Sequence, residues 1–157
     1  MLFRSTDIND SGTEENTLDV EIIGALYPSS NLTIVLIVAE NSLYGMYNIF
    51  NTIINKPTIY GIQYDFKVIN CSWGLSENSL IKNFMMKLNT LFETAKKKGI
   101  NIFVSSGDFG SSNGNELATL DFPSSSPNVI ACGGTTLKCP NLIYNSNTTS
   151  EIRSEEH

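Results

Sequence analysis

The chain has 157 residues, of which 41% are hydrophobic and 17% charged, the composition of a soluble globular domain able to bury its own core. Its net charge of -6, with only 10 Lys and Arg, argues against a nucleic-acid binder. No apolar run approaches the ~20 residues of a membrane span, and Met1-Leu2-Phe3-Arg4 leads into polar residues rather than a signal-peptide core, so any export signal would lie upstream.

Met1 to Thr13 is polar and reads as an edge or loop. Thr13 to Leu26 reads as a helix with acids early and apolar residues behind them. Glu15 and Asp19 stack on one face of such a helix, where like charges repel by a few tenths of a kcal/mol; a solvated acidic face that tolerates the repulsion would read the same way. The β-branched run Leu32 to Ala39 predicts a strand buried on both faces of a parallel sheet. Leu43 to Ile54, with apolar residues near helical spacing, supplies a crossover. A second strand, Phe66 to Ser72, leads into Trp73-Gly74. A longer helix from Ser79 to Lys98 carries Leu80, Phe84, Leu88, Leu91, Phe92 and Ala95 on one stripe, with Lys96-Lys97-Lys98 complementing its dipole and Gly99 suited to its C-terminal cap. A third strand, Ile100 to Ser106, feeds Asp108, and Val129 to Cys132 makes a fourth before Gly133-Gly134-Thr135. The alternation predicts a doubly wound α/β sheet with right-handed crossovers. From Asn141 onward the chain is polar, giving three parts: an edge over 1–13, a domain over 14–140 and a tail over 141–157.

An apolar strand ending in Ser105-Ser106-Gly107-Asp108-Phe109-Gly110 is how an α/β sheet presents a working side chain at its carboxyl edge. The glycines suit a sharp turn or a close approach, although a turn in which Asp108 bonds its own backbone accounts for the same residues. Three cysteines are an odd count without metal-ligand spacing, and the single His is His157. A Cys132–Cys139 bridge and buried free thiols at Cys71 and Cys132 both fit. Sequons at Asn9, Asn31, Asn70 and Asn147 are expected by chance in so Asn-rich a chain. A phosphate-loop reading of the Asp108 stretch lacks both the G-x-G-x-x-G spacing and the lysine.

Four stretches in order, Glu15-Asn16-Thr17-Leu18-Asp19, Ile69-Asn70-Cys71-Ser72-Trp73-Gly74, Ser105 to Gly110, and Phe122-Pro123-Ser124-Ser125-Ser126-Pro127-Asn128-Val129 running to Gly133-Gly134-Thr135, resemble the sedolisin family of serine-carboxyl peptidases. The resemblance implies a three-layer subtilisin-like parallel sheet with helices on both faces, here incomplete. It implies Glu15 as general base, Asp19 as the acid that orients it, Asp108 as the oxyanion-hole acid, and Ser72-Trp73-Gly74 and Ser105-Ser106-Gly107 flanking a peptide or protein substrate. The chemistry is coherent: a serine hydroxyl needs a base within ~3 Å, neighbouring carboxyls share a proton in acid, and an oxyanion donor must itself be protonated. A histidine-type subtilase relative would need a His near the second strand, and His157 is far from it.

The family's nucleophile stands in a Gly-Thr-Ser motif and its calcium site follows; neither occurs here, so the expectation is a partial catalytic domain, inactive alone, with no cofactor of its own, the calcium site downstream of His157, and a complementary C-terminal segment bringing the serine. The resemblance further implies secretion or an acidic, lysosome-like compartment. A non-catalytic peptide-binding remnant of the same fold is the alternative.

Overall fold

The structure, a computed structural model, describes residues 11–27, 29–112 and 117–135. Helix α1 spans Ser11–Leu26. Helix α2, Leu43–Asn55, starts where the Ser42 side chain accepts a hydrogen bond from Gly45 N, which satisfies one of the free amides of its first turn. A hairpin of β1, Thr58–Ile59, and β2, Ile62–Gln63, follows, closed by Tyr60 and Gly61 at positive φ. Then come β3, Val68–Cys71, and β4, Leu75–Ser76. Helix α3, Lys82–Lys97, is preceded by a 3-10 turn over Glu77–Ser79, so the helix opens later than the sequence pattern suggests. Strand β5, Asn101–Ser105, a 3-10 turn over Gly110–Ser112, and strands β6, Asp121–Phe122, and β7, Ile130–Cys132, complete the described elements.

Strands β3, β5 and β7 form a parallel sheet in the order β3-β5-β7, with Cys71 level with Val104 and Ser105 level with Cys132. The subtilisin-like α/β architecture is therefore present, with the three later predicted strands parallel. The first is different. Residues 32–40 take no strand conformation, and Leu36 and Val38 remain exposed. A cavity of about 600 Å3 lies between Leu32–Val35 on one side and Phe66–Val68 and Asn70 on the other. Branched side chains favour an extended backbone, but a strand exists only where a partner's amides come within reach, and here the gap separates the run from the edge of β3.

Residues of α2 and α3 bury one face of this sheet. Ile69, Cys71, Ile102 and Val104 point into a core with Met46, Ile49, Phe50, Ile53 and Ile54 from α2 and Leu88, Leu91, Phe92 and Ala95 from α3. The predicted stripe of α3 is thus the buried one, with Leu80 and Phe84 packed at its margin. Phe92 meets Phe50 edge to face at 4.9 Å and lies 6.1 Å from Phe122, so an aromatic series runs from α2 to β6. Gly99, at φ 74°, ends α3 in the left-handed conformation that other residues resist, and the Lys98 ammonium donates to Ile54 O, joining the two helix ends. Cys71 is buried and free. Cys132 is free but exposed on β7, contrary to the buried thiol expected for an apolar strand, because no described strand lies beyond that edge of the sheet. Cys139 lies outside the described residues.

Two glycines test this packing in opposite directions. A Cβ at Gly45 would fall 2.0 Å from the Glu40 carbonyl oxygen, whereas one at Gly24 meets nothing within 4 Å. In urea unfolding, Gly45→Ala is expected to lose about 1–3 kcal/mol through overpacking against backbone. Gly24→Ala is expected to gain about 0.5–1 kcal/mol by restricting the unfolded chain within a helical segment.

Candidate active site

The parallel register places the carboxyl ends of β3 and β5 side by side, and the chain leaving each end supplies one wall of a cavity of about 420 Å3. From β3 come Ser72, Trp73 and Gly74; from β5 come Ser105, Gly107, Asp108 and Phe109. Gly107, at φ 103°, and Gly110, at φ 66°, bracket Asp108 with backbone that favours glycine, so the turn read from the sequence is real and leaves the Asp108 side chain exposed at the mouth. Ser106 does not line the cavity: its amide donates to Cys132 O at 2.9 Å and its hydroxyl lies toward Gly133.

Helix α1 contributes the acids. Glu15 lines the same cavity, and Asp19, one turn on, accepts a hydrogen bond of 2.8 Å from the Ser72 hydroxyl. Burial raises the proton affinity of Glu15; the negative charge of Asp19 raises it further, Ser72 as a donor opposes this, and Asp108 adds a smaller upward push. Glu15 therefore feels Asp19, Ser72 and Asp108 across two elements and a loop. Burial pushes the Cys71 thiol up to about 12 while its Sγ donates to Trp73 O, so this cysteine next to Ser72 is no nucleophile. Trp73 Nε1 and both polar side-chain atoms of Asn16 are buried without a partner among the described residues.

Asp121, which sequence reasoning passed over, also lines the cavity and is buried. It arrives through β4, which leaves Gly74 and pairs antiparallel with β6, setting Ser76 opposite Asp121. A Cβ at Gly74 would stand 3.2 Å from Phe122 O, so glycine lets the two strands close. No local signal marks Asp121, because its position depends on a pairing between residues far apart in sequence. The serine run after it is structural: Ser124 donates to Asp121 O, Ser125 to Glu77 Oε1 and Ser126 to Asn89 Oδ1, fixing the segment against α3 and the turn before it. Among the described residues no group of three or more His, Cys, Asp or Glu side chains is placed to hold a metal ion.

The raised proton affinity of Glu15 has a stability consequence with a definite sign. A carboxyl that binds its proton more tightly folded than unfolded destabilises the fold as pH rises through the ordinary glutamate range and beyond. Glu15→Gln is expected to raise the melting temperature at pH 7, with the difference vanishing below about pH 4. Calorimetry of both chains at the two pH values checks it.

The subtilase family model matches residues 11–156. Kumamolisin of Bacillus sp. (strain MN-32) is 34% identical over 125 residues, covering 78% of this chain and 21% of kumamolisin. Tripeptidyl-peptidase 1 of Rattus norvegicus is 37% identical over 78 residues, covering 47% of this chain and 14% of that protein. Among solved structures, a Pseudomonas sedolisin, a serine-carboxyl proteinase complexed with two molecules of pseudo-iodotyrostatin, superposes with a TM-score of 0.56 at 30% identity over 66% of this chain and 29% of its own. The chain thus spans about a fifth of kumamolisin, and it belongs to the subtilase family and, within it, to the sedolisins.

Proposed function

We propose that this chain carries the carboxyl machinery of an acid-acting serine-type peptidase. Glu15 is the general base, Asp19 the acid that orients and polarises it, and Asp108 the oxyanion-hole donor. Extended substrate backbone lies along Ser72-Trp73-Gly74 and past Ser105 and Gly107, with Ser106, whose amide is held by Cys132 O, turned out of the path. The observation that carries this reading is the convergence of Glu15 and Asp108 on one cavity at the carboxyl ends of β3 and β5, with Asp19 held behind by Ser72.

The roles follow from what each group can do. Glu15, with its raised proton affinity, is a stronger base than an ordinary glutamate for drawing a proton from a serine hydroxyl. As the serine oxygen adds to the peptide carbonyl, negative charge gathers on the carbonyl oxygen, and Asp108 meets it only when protonated, since an ionised carboxylate has no hydrogen to donate. The Asp108 requirement favours acid, while Glu15, which must be ionised to take the proton, sets the lower limit of the working range. The sequence contains no Gly-Thr-Ser triplet, so in this reading the nucleophile, and the calcium site expected after it, come from outside residues 1–157. Peptides or proteins are the substrates.

The test compares the 157-residue chain with a form extended to include a Gly-Thr-Ser serine, assayed on a peptide library between about pH 3 and 7. The chain alone is expected to turn over nothing and to resist a fluorophosphonate probe, since loss of a triad nucleophile costs on the order of a million-fold. The extended form is expected to cleave in acid, and Asp108→Ala to lower its turnover by about 10²–10³-fold, as for other oxyanion donors. Glu15→Ala and Asp19→Ala are expected to impair it as well. An extended form indifferent to all three substitutions, or probe labelling of the chain alone, overturns the assignment.

A further inference from the structure

Resting on the peptidase reading above, we propose that Phe109 is the specificity-determining residue of the cavity: its ring, with Leu75 and Trp73, forms an apolar rim that takes a bulky apolar side chain of the bound peptide.

The cavity is chemically divided. Glu15, Asp108 and Asp121 are its acids, and Trp73, Leu75 and Phe109 its large apolar members. Trp73 packs against the core, whereas Leu75 is 44% exposed and Phe109 69% exposed. Single exposed apolar residues are ordinary on a protein surface, so exposure of Phe109 decides nothing by itself. What decides is that the backbone holds it there. Gly107 and Gly110, both at positive φ, turn the chain on either side, and the 3-10 turn over Gly110–Ser112 is tied down where Thr119 N donates to Ser111 O at 3.0 Å. Thr119 is anchored in turn to the other wall: its hydroxyl lies 3.0 Å from Ser76 Oγ and accepts from Asn78 Nδ2 at 3.2 Å. One threonine thus joins the turn after Phe109 to the strand that begins at Leu75. The two apolar lips are set before any ligand arrives, so filling the cavity beside them costs little in ordering the protein.

Phe109 follows directly on Asp108, and adjacent Cα atoms are ~3.8 Å apart. A peptide whose carbonyl oxygen lies at the Asp108 carboxyl therefore has its neighbouring side chains within reach of the ring. Side chains of an extended peptide alternate, and one of the two beside that carbonyl turns toward the rim. The ring has neither donor nor acceptor, so it selects by the area it covers: a phenylalanine or leucine removes it from water, and an alanine leaves it wet. An aspartate is rejected, because three acids line the cavity and no described Lys or Arg does. A lysine gains from those acids only while they are ionised, and in the reading above Asp108 works protonated. Burial of apolar area involves no titration, so in acid the apolar side chain is preferred.

NMR titration of the 157-residue chain with acetyl-Ala-Ala-X-amide peptides at about pH 5, followed at the Gly107 and Asp108 amides, tests this, X being Phe, Leu, Ala, Asp or Lys. The Phe and Leu peptides are expected to bind about tenfold tighter than the Ala peptide, the lower end of what apolar complementarity supplies in a pocket. The Asp peptide is expected to bind more weakly than the Ala peptide. Phe109→Ala should bring the ratio of the Phe to the Ala peptide toward one, and Phe109→Leu should keep most of it. A merely structural role for Phe109 would weaken every peptide alike and preserve the ratio. Equal binding of the Phe and Ala peptides by the unaltered chain, tightest binding of the Lys peptide, or a ratio that survives Phe109→Ala overturns the role of Phe109; the first two outcomes need no variant to fold. Cleavage by the extended form with no preference between Phe and Ala overturns only that role. The tenfold preference in binding, with no cleavage by the extended form, overturns only the peptidase reading, and binding of none of the peptides overturns both.

Discussion

Everything at the site depends on the register between β3 and β5. Pairing Cys71 with Val104 brings the two strands to an end at the same height, so that Ser72 and Ser105 leave the sheet together and the segments beyond them face one cavity. A parallel ladder permits this because both strands run the same way and deliver their following loops to one edge. A slip of one residue would turn Ile69, Cys71, Ile102 and Val104 out of the core that α2 and α3 cover, so burial of those side chains holds the register and, through it, the spacing of the acids.

Much of this was legible in the sequence where the signal is local. The stripe on α3, the left-handed glycine after it and the strand that feeds Asp108 rest on periodicity and on backbone preference, and those properties travel with the residues. The turn at Asp108 was readable for the same reason. What failed was whatever needs a partner. Leu32 to Ala39 has the composition of a buried strand but no described edge close enough to pair with, and Cys132 sits in an apolar run whose outer flank no described strand covers. The hairpin at Tyr60-Gly61 and the β4–β6 ladder are two-residue pairings, too short to leave a period-2 pattern. Asp121 was invisible because that ladder is what carries it to the cavity.

The cavity gathers like charges that are expensive to bring together. Glu15, Asp108 and Asp121 line it, and no Lys or Arg is among its lining residues. Folding brings the helix acids to the sheet with a hydroxyl as the nearest opposing dipole, a weaker partner than a cation. Burial first, and the neighbouring carboxylate of Asp19 second, displace the proton affinity of Glu15 upward, which is the form in which an acid site stores electrostatic work. The serine run is the counterpart in the scaffold, where each hydroxyl donates into the protein and none is left for chemistry.

Asp121 and Phe122 are neighbours in β6, yet one faces the cavity and the other closes the aromatic series with Phe92 and Phe50. Two adjacent residues on a strand necessarily point to opposite sides, so here a single peptide unit is a rigid lever between the hydrophobic interior and the acid pocket. A change of packing around Phe122 therefore reaches the cavity wall at Asp121 through one peptide unit.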